Sequence, residues 1–583
     1  MDQSRLKATA EAWAAHDPDP ATRAEATALL AAKDWAALDD RFATSLEFGT
    51  AGLRGLLGAG PNRMNRAVVR RTTAGLARYL LQHVPDAKTR GVVVGRDGRT
   101  MSDELARDVV EVFCAEGFVV HAFTRVGPTP LTAFALLKLN AAAAVMVTAS
   151  HNPPEYNGYK VYWGNGAQII PPHDAGIAAS IEKVEPADQV KLLRERDARA
   201  QKLWSDLGEE MEDAYLRAIA TLPPAGEKKS RQLKIVYTAM HGVGGRLAVE
   251  GLARAGFTDV SPVARQHEPD PKFTTVRFPN PEEKGALDLS TELAQQLKAD
   301  LVLANDPDAD RLAVMARDEK GTLRALTGNE LGVLLGEFML TEGPKRASPL
   351  VITTVVSSVQ LRAIAEKLGA GYEETLTGFK WIANRALELD PKGERFAFGY
   401  EEALGYTIGT VVRDKDGIGA ALVAAELAAR CHALGGTLLT RLEALQRKYG
   451  LFVSSLKTVT LPGAEGQAKM AGLMKSLRAK PPAAVGPLAI DVVNDYQARE
   501  RVAGGKKAPL SLPPANMIVY ELAGGTRITV RPSGTEPKVK MYFEVQEPVA
   551  ANEPMAQAHQ RALGRLERIG EDFVAVARQH GLP

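Results

Sequence analysis

Cysteine and long apolar runs are scarce in this sequence of 583 residues, and both absences exclude classes of protein. The two cysteines, Cys114 and Cys431, lie in apolar helical patterns, so we expect buried free thiols rather than a disulfide framework. No apolar run reaches the roughly 18 residues that a membrane-spanning helix needs. Residues 1–17 lack the apolar segment of a signal peptide. We therefore expect a cytoplasmic protein with no membrane partner.

The chain also lacks an excess of charge of either sign. Its 72 lysines and arginines balance 70 acidic residues, and no dense basic run with interleaved aromatic residues occurs. We expect no nucleic-acid partner, because proteins that bind nucleic acid present a concentrated basic patch. With 45% hydrophobic and 24% charged residues the composition is that of an ordinary globular protein. The length predicts about three to five domains.

Apolar strands and helices alternate along most of the chain. The pattern occurs near residues 91–148, 233–304 and 328–434, without a repeated sequence. Such alternation is typical of α/β domains with parallel or mixed sheets. The final quarter has strands without crossover helices, which indicates a small α+β domain, and its residues 503–514 are predicted to be a mobile loop. Residues 1–45 are predicted to be helical with a break at Pro18 and Pro20.

The sequence therefore predicts an α/β fold: three similar α/β domains with mixed sheets plus a C-terminal α+β domain. Polar stretches between the patterns place the domains at 1–208, 209–325, 326–448 and 449–583. The N-terminal helices belong to the first of these domains, and the sequence assigns them no chemical role.

One buried strand ends abruptly in a polar loop. Residues 141–147 are all apolar, and a Thr148-Ala149-Ser150-His151-Asn152 segment follows before prolines at 153 and 154. Because proline cannot continue a β-ladder, Ser150 should lie at the carboxyl end of a strand, where open α/β sheets bind their ligands. A hydroxyl beside an imidazole is a candidate nucleophile with a proton acceptor. The alternative is a polar turn whose side chains cap backbone groups.

Three carboxylates, Asp306, Asp308 and Asp310, lie between apolar strands predicted at 301–304 and 312–315. At this spacing on an extended loop they can converge on one point, where like charges repel unless a cation lies between them. Hard oxygen ligands favour Mg²⁺, Mn²⁺ or Ca²⁺. An EF-hand is excluded because its sixth position would be glycine and here is Arg311. The alternative is a solvated acidic turn.

Other loops contain groups that recognise sugars and phosphates. Glu401 and Glu402 follow an apolar strand and can accept hydrogen bonds from sugar hydroxyls, or they form an exposed charged loop. Lys380, at a strand–helix junction, can bind phosphate, carry a proton or be solvated. Residues 531–538 offer the donors of an anion nest, or a charged hairpin, without the spacing of a nucleotide-binding P-loop: Arg531, Ser533, Gly534, Thr535 and Lys538.

These segments, in this order, resemble the α-D-phosphohexomutase superfamily in its phosphoglucomutase branch. The motifs are Thr148-Ala149-Ser150-His151-Asn152-Pro153, Asp306-x-Asp308-x-Asp310-Arg311, Glu401-Glu402 and Arg531-Pro532-Ser533-Gly534-Thr535-Glu536-Pro537. Residues 49–54, which end at Arg54, and residues 156–160, which end at Lys160, are also similar to that family. The resemblance runs from about residue 45 to the C-terminus.

The resemblance implies four domains around a central active-site cleft. Ser150 would be a phosphoserine that donates and recovers a phosphoryl group, and with the three aspartates it would hold one Mg²⁺. Positive charge around that phosphate would come from Arg54, Lys160 and Arg311. His151 or Lys380 would carry the proton. Glu401 and Glu402 would contact the sugar, and the 531–538 residues named above would bind the phosphate that is not transferred.

The leading hypothesis from this resemblance is a phosphoglucomutase that interconverts glucose 1-phosphate and glucose 6-phosphate through glucose 1,6-bisphosphate, which would also act as an activator. One departure concerns Ala403, where many relatives have serine. The variant looks like the branch that includes phosphopentomutases, so pentose and mannose phosphates remain alternatives, as does a regulator that forms a sugar bisphosphate. A serine-dependent phosphatase is a further alternative. We expect small-molecule sugar phosphates as partners and a monomer or dimer.

Overall fold

The computed structural model describes residues 2–47, 52–224, 231–461, 463–533 and 538–582. Three helices open the chain: α1 (Gln3–Ala15), α2 (Pro20–Ala32) and α3 (Trp35–Phe42). Each begins after an aspartate whose carboxylate accepts a backbone N–H of the first turn: Asp2, Asp19 and Asp34. The predicted helical extension with a break near Pro18 and Pro20 is confirmed.

The first sheet is mixed and has six strands: β1 (Leu53–Leu56), β2 (Val92–Arg96), β3 (Val120–Phe123), β4 (Ala143–Val147), β5 (Tyr156–Trp163) and β6 (Trp204–Leu207). Their order is β1-β5-β4-β2-β3-β6, with β5 antiparallel to both of its neighbours and the remaining pairs parallel. The accompanying helices are α4 (Arg66–His83), α5 (Ala87–Arg90), α6 (Ser102–Ala115), α7 (Thr129–Lys138), α8 (His173–Glu182) and α9 (Glu195–Ala200).

The second sheet is also mixed, with the order β11-β10-β9-β7-β8. Its strands are β7 (Ile235–Thr238), β8 (Val260–Pro262), β9 (Leu301–Ala304), β10 (Ala313–Arg317) and β11 (Leu323–Ala325). Its helices are α10 (Glu209–Ile219), α11 (Gly245–Arg254), α12 (Ala264–His267) and α13 (Asp288–Leu297).

The third sheet has the order β13-β12-β14-β15 and only its last pair is antiparallel. Its strands are β12 (Pro349–Thr354), β13 (Gly371–Thr375), β14 (Arg395–Glu401) and β15 (Gly405–Ile408). Its helices are α14 (Gly328–Thr341), α15 (Gln360–Leu368), α16 (Phe379–Leu389), α17 (Gly417–Ala433) and α18 (Leu438–Tyr449). The predicted three α/β domains with mixed sheets are confirmed.

The last sheet is antiparallel, with the order β16-β23-β22-β21-β18-β19-β20, and β17 pairs with β18. Its strands are β16 (Leu451–Thr460), β17 (Ala484–Val485), β18 (Leu488–Asp495), β19 (Glu500–Ala503), β20 (Lys506–Pro509), β21 (Ile518–Leu522), β22 (Thr526–Pro532) and β23 (Lys538–Glu547). Helices α19 (Gly463–Ala479) and α20 (Met555–Gln579) complete the predicted α+β domain.

The prediction of a mobile loop at 503–514 is wrong for its first half. Strands β19 and β20 form a hairpin whose two turn residues, Gly504 and Gly505, have φ of 54° and 76°. Two consecutive residues with positive φ make the tight turn that matches the twist of paired strands, and glycine adopts it without a steric penalty. The Gly-Gly pair was therefore a hairpin signal inside a segment whose composition favoured a loop.

One hydrophobic cluster spans the three α/β domains, beside smaller clusters within each of them, whereas the main cluster of the fourth domain is its own. The shared core includes Val93 and Tyr162 of the first domain, Leu303 of the second and Phe338 of the third. The core of the last domain is built from its own sheet and from α19 and α20. Within the described residues no single helix is long and apolar enough to span a membrane; α17 and α18 reach that length only as a pair bent by 89°.

Polar contacts also join neighbouring domains. Residues 413–416 of the third domain pass between its neighbours, where Tyr162 Oη donates to Asp414 Oδ2 at 2.6 Å and Tyr215 Oη donates to Asp416 Oδ1 at 2.7 Å. The fourth domain contacts the third through an apolar cluster, which includes Val355 and Val519, and through a largely buried ion pair, in which Arg527 Nη1 lies 2.8 Å from Glu374 Oε1. The expected boundaries at residues 208, 325 and 448 stay predictions.

Candidate active site

The Ser150 loop begins where the fully buried strand β4 ends. Ser150 has a φ of 54°, a left-handed conformation that is strained for a residue other than glycine. The Thr148 hydroxyl accepts the Ser150 N–H at 2.8 Å, so this buried backbone group has its hydrogen bond within the turn. Ser150 is 3% exposed. The sequence correctly predicted its place after the strand, and the local geometry turns its hydroxyl away from the sheet toward the second domain.

The loop between β9 and β10 brings three aspartates to that hydroxyl. Ser150 Oγ donates to Asp306 Oδ2 at 3.0 Å. One carboxylate oxygen from each of Asp306, Asp308 and Asp310 lies within 4.8 Å of the others, and all three residues are buried. The three carboxylates therefore converge as predicted, and the alternative of a solvated acidic turn is wrong because all three residues are buried.

Two buried lysines neutralise part of this charge. Lys160 Nζ lies 2.7 Å from Asp308 Oδ2 and 2.9 Å from Asp310 Oδ2, and Lys415 Nζ lies 3.3 Å from Asp310 Oδ2. Burial would lower the pKa of Lys160, but the two carboxylates outweigh burial and raise it. Burial would likewise raise the pKa of Asp310, but the two ammonium groups lower it. Asp306 has no lysine partner in the described contacts, and burial, then Asp308 and Asp310, raises its pKa well above the ordinary value.

The carboxylate oxygens that the lysines do not contact are suited to bind a divalent cation. Asp308 Oδ1 and Asp310 Oδ1 are buried without a hydrogen-bond partner among the described residues. Asp306 Oδ2, the third oxygen of the set, is held by Ser150. Buried oxygens of this kind are costly unless a donor or a cation satisfies them. A small, hard, oxygen-preferring cation such as Mg²⁺ fits this donor set.

His151 and Arg54 are two further charged or titratable groups close to the Ser150 loop. His151 Nδ1 lies 3.2 Å from Ser150 Oγ. Burial, with Arg311 and Arg54 nearby, lowers the pKa of His151 well below its usual value, so the neutral ring can accept a proton. Arg54 Nη1 donates to Asn152 Oδ1 at 2.7 Å, and burial lowers the pKa of Arg54 to about 10. Its Nε is buried without a partner in the described part of the chain.

Arg311 is paired within the second domain with a residue that the sequence did not indicate. Its Nη1 lies 3.4 Å from Glu282 Oε2, and its backbone N–H donates to Asp306 Oδ1 at 3.0 Å. The weak ion pair with Glu282 leaves Arg311 Nε without a partner among the described residues. An anion with several oxygens would satisfy this guanidinium better than one distant carboxylate does.

The Glu401–Glu402 loop lies at the end of β14, as predicted. Glu401 Oε1 accepts the Gly378 N–H at 2.7 Å, and Glu402 Oε2 accepts the Ser357 hydroxyl at 3.2 Å. A cavity of about 430 Å³ lies beside this loop, between the third and fourth domains, and Ala403 and Lys540 are among its lining residues. The cavity is wide enough for a small polar ligand.

The fourth domain contributes Arg531 from the end of β22. Arg531 Nη2 donates to Tyr542 Oη at 3.2 Å, and the arginine lowers the pKa of Glu402, which burial raises. The backbone N–H of Ser533 donates to the carbonyl of Lys538 at 2.7 Å and closes the hairpin. Gly534 and Thr535 lie outside the described residues. Within the described part of the predicted anion loop, Arg531 thus lies near Glu402.

Lys380 is the predicted site residue that the structure places apart. It lies in the first turn of α16, where burial lowers its pKa and Asp174 of α8 opposes that shift. Its Nζ lies 5.8 Å from the centre of the Trp381 ring. His151 contacts Ser150 directly, whereas the neighbours of Lys380 are Asp174 and Trp381. Of the two predicted proton carriers, the geometry therefore favours His151.

Besides Glu282, sequence reasoning missed three charged residues of the site: Asp97, Arg99 and Lys415. Asp97 and Arg99 directly follow the buried strand β2, which lies beside β4 in the sheet. Charged residues after the strand that neighbours a candidate nucleophile were a usable signal. Lys415 lies between two aspartates whose side chains bind tyrosines of other domains, a role that the local sequence does not reveal.

Family models match four consecutive parts of the chain. They are described as phosphoglucomutase/phosphomannomutase alpha/beta/alpha domains I, II and III and the C-terminal domain, and they match residues 45–188, 213–321, 327–449 and 481–559. A solved phosphoglucomutase/phosphomannomutase family protein from Burkholderia thailandensis aligns with a TM-score of 0.65 at 21% identity, over 91% of this chain and 96% of that one. At this identity the likeness concerns the fold.

Curated relatives are similar over nearly the whole length. The probable phosphoribomutase of Schizosaccharomyces pombe is 40% identical over 562 residues, which cover 92% of this chain and 93% of that protein. The glucose 1,6-bisphosphate synthase of Homo sapiens is 38% identical over 561 residues, which cover 91% of this chain and 89% of that protein. These relatives carry different names, so likeness alone does not decide among sugar substrates.

Proposed function

Since this chain belongs to the phosphoglucomutase/phosphomannomutase family, we propose that it is a phosphomutase that moves a phosphoryl group between two positions of a sugar phosphate through a phosphoserine at Ser150. Members of this family are intramolecular phosphotransferases, so the chain is an enzyme of that class. The observation that carries the proposal is the contact of Ser150 Oγ with both Asp306 and His151 in a buried site.

The residues around Ser150 have the properties that phosphoryl transfer requires. The reaction depends on in-line positioning and on neutralising charge more than on covalent chemistry by the protein. In the half-reaction that forms the phosphoserine, Ser150 Oγ attacks phosphorus, the P–O bond to the sugar breaks, and the sugar oxygen takes up a proton and leaves as a hydroxyl. His151 is held neutral by burial and accepts the serine proton at Nδ1. Arg54 and Arg311, whose buried Nε atoms have no hydrogen-bond partner among the described residues, would bind the phosphoryl oxygens.

Asp306, Asp308 and Asp310 would hold a single Mg²⁺ beside this phosphoserine. When bound, the cation would draw negative charge from the phosphoryl oxygens. Lys160 and Lys415 supply counter-charge to two of the carboxylates and orient them, because each ammonium contacts a carboxylate oxygen directly. Removing the cation with a chelator should abolish turnover, and adding Mg²⁺ should restore it.

A mutase also needs a second anion site, because its bisphosphate intermediate has two phosphates. Arg531, across the cleft beside Glu402, is the described residue best suited to bind the phosphate that is not transferred. Gly534 and Thr535 belong to the same proposed loop. The intermediate would have to reverse its orientation between half-reactions, so one loop would meet both phosphates in turn. Added sugar bisphosphate should therefore activate the enzyme by rephosphorylating Ser150.

For the sugar itself, we propose that pentose phosphates are turned over alongside glucose phosphates. Two observations support this: the Schizosaccharomyces pombe relative is named a probable phosphoribomutase, and Ala403 lacks a hydroxyl that could contact a hexose. The sequence-based hypothesis of a phosphoglucomutase remains the competing assignment. The relative named as a bisphosphate synthase supports a second candidate function, in which a separate phosphoryl donor phosphorylates Ser150, Ser150 transfers this group to a sugar phosphate, and the sugar 1,6-bisphosphate is released as the product.

The deciding experiment measures the purified protein on ribose 1-phosphate, glucose 1-phosphate and mannose 1-phosphate, each with and without the matching bisphosphate. Intact-mass and peptide analysis should find one phosphate, on Ser150. We expect Ser150→Ala to remain folded and to lose both the phosphate and the turnover. Full activity in Ser150→Ala would exclude the phosphoserine route. Product bisphosphate in place of the isomer would favour the second candidate.

A further inference from the structure

A buried guanidinium binds the backbone of the Ser150 loop from beneath. Arg99 Nη2 donates to the carbonyl of Ser150 at 2.6 Å and to that of Asn152 at 2.5 Å. Its Nη1 donates to the carbonyls of Pro153 at 2.9 Å and Tyr156 at 3.3 Å. Arg99 is 4% exposed. Four carbonyl groups of one short loop therefore converge on a single side chain, which contacts none of the reacting atoms.

Asp97 holds this guanidinium and ties it to the other side of the loop. Its Oδ2 lies 3.2 Å from Arg99 Nε and accepts the Thr148 hydroxyl at 2.6 Å. Its Oδ1 accepts the Ser102 hydroxyl at 2.7 Å and the Arg99 N–H at 3.0 Å. Because Thr148 in turn accepts the Ser150 N–H, the carboxylate and the guanidinium fix Ser150 through both of its peptide groups.

The second domain closes over this arrangement. The Arg99 guanidinium lies 4.9 Å from the centre of the Phe273 ring, at the distance of a cation–π contact. Phe273 belongs to the segment between α12 and α13 of the domain that also carries the aspartate loop. The same arginine therefore contacts both the loop that bears the nucleophile and the domain that bears its acidic partners.

The conformation of Ser150 explains why such support is needed. A non-glycine residue in the left-handed region persists only where its surroundings over-determine it. Relaxation of this backbone would swing the hydroxyl away from Asp306, 3.0 Å away, and from His151 at 3.2 Å. Misplacement of a reacting group by about 1 Å can cost roughly 100-fold in rate.

We propose that Arg99, held by Asp97, is the positioning residue that keeps Ser150 in its left-handed conformation and so aims Oγ at the phosphoryl group. The inference rests on the proposed function of Ser150. It requires the planar, multiple-donor guanidinium in particular, because an ammonium has three donors around one atom and cannot span four carbonyls. Arg99 acts on kcat through Ser150 and makes no contact that would set substrate affinity.

The test compares Arg99→Ala, Arg99→Lys and Asp97→Asn with the matched control Arg96→Ala. Arg96 lies on the same strand end and also donates to carbonyls, those of Phe123 at 2.7 Å and Thr124 at 3.2 Å, away from the Ser150 loop. We expect Arg99→Ala to lower kcat about 100-fold with little change in KM, the pattern of a lost transition-state interaction. Added guanidinium ion should restore part of the activity of Arg99→Ala, and Arg96→Ala should keep wild-type kcat.

Intact-mass analysis after incubation with sugar bisphosphate should show slower phosphorylation of Ser150 in Arg99→Ala. If Arg99→Ala does not fold, Arg99→Lys and Asp97→Asn decide by the same measurements. Equal kcat for Arg99→Lys and wild type, or a kcat loss in Arg96→Ala as large as in the Arg99 variants, would overturn the inference. Either result leaves the proposed function intact if Ser150→Ala is inactive, whereas an active Ser150→Ala would end the proposed function itself.

Discussion

Replacing Lys160 with methionine tests whether the aspartate cluster is built to hold a cation. Lys160 is 2% exposed, and its Nζ contacts Asp308 and Asp310, which are 0% and 1% exposed. The variant keeps an unbranched side chain of nearly the same length and removes the ammonium group with its charge and its hydrogen-bond donors. Asp308 then keeps the Thr129 hydroxyl at 2.6 Å, and Asp310 keeps Lys415 at 3.3 Å. Two buried carboxylates lose their nearest counter-charge.

The expected cost follows from measurements on buried ion pairs. Removing one partner of such a pair destabilises a protein by about 3–5 kcal/mol, because a charge is left buried without compensation. A divalent cation would compensate the same carboxylates, so Mg²⁺ should stabilise Lys160→Met more than wild type. A 100-fold ratio of ligand concentration to dissociation constant corresponds to about 2.7 kcal/mol, enough to recover much of the loss.

The assay is urea-induced unfolding of both proteins in chelator and in millimolar Mg²⁺. Arg199→Met is the matched control, since Arg199 lies 2.8 Å from Asp206 while 39% of its side chain is exposed. Exposed pairs contribute about 0–1 kcal/mol, so the control should unfold like wild type under both conditions. A Lys160→Met midpoint equal to that of wild type in chelator, or a response to Mg²⁺ no larger than that of wild type, would refute the reasoning.

Three further predictions concern a buried aspartate, a glycine beside the aspartate loop and an ion pair between two domains. Burial raises the pKa of Asp416 to about 6, so the folded state binds a proton more tightly than the unfolded chain and stability falls as pH rises through about 4–6. In Asp416→Asn the unfolding free energy should fall by about 3 kcal/mol less than in wild type over this pH range, since asparagine does not titrate. Parallel pH profiles of the unfolding free energy for Asp416→Asn and wild type would contradict this. Gly242→Ala would place a Cβ 2.3 Å from the Pro307 Cα, so we expect lower turnover from a displaced aspartate loop; wild-type kinetics would contradict this. Arg527→Met should destabilise the junction of the third and fourth domains by about 1.5–3 kcal/mol, because Glu374 loses one arginine partner and keeps Arg362. Arg501→Met, from an exposed pair with Glu521, should not, and equal effects in urea unfolding would contradict this.

The parts of this site that the sequence predicted are those whose signal is local. An apolar strand that stops at a Thr-Ala-Ser-His segment places Ser150 at a sheet edge wherever the other domains lie. The aspartate loop was predictable for the same reason, since apolar strands flank it on both sides. Spacing also indicated the carboxylates' convergence, because alternate residues of an extended loop point the same way.

The parts that the sequence did not predict depend on distant partners. Lys160 is buried because Asp308 and Asp310, nearly 150 positions away, supply its counter-charges. Strand β5, which contains it, has polar residues at buried positions, so its pattern did not stand out as a strand. The role of Lys415 depends on tyrosines from two other domains. No local pattern contains this information, because it arises only when the domains pack.

The division of the hydrophobic core has a consequence for how the chain unfolds. The three α/β domains cannot separate without exposing a common interior, whose residues come from all three sheets. The fourth domain has an interior of its own and meets the third through a small apolar cluster, which includes Val355 and Val519, and through polar and charged contacts. Because cooperativity follows shared burial, we expect two folding units of unequal size, one of about 450 residues and one much smaller, joined by this smaller cluster. Local opening of the small unit would release Arg531 from the cleft while Ser150, the aspartates and both lysines stay assembled.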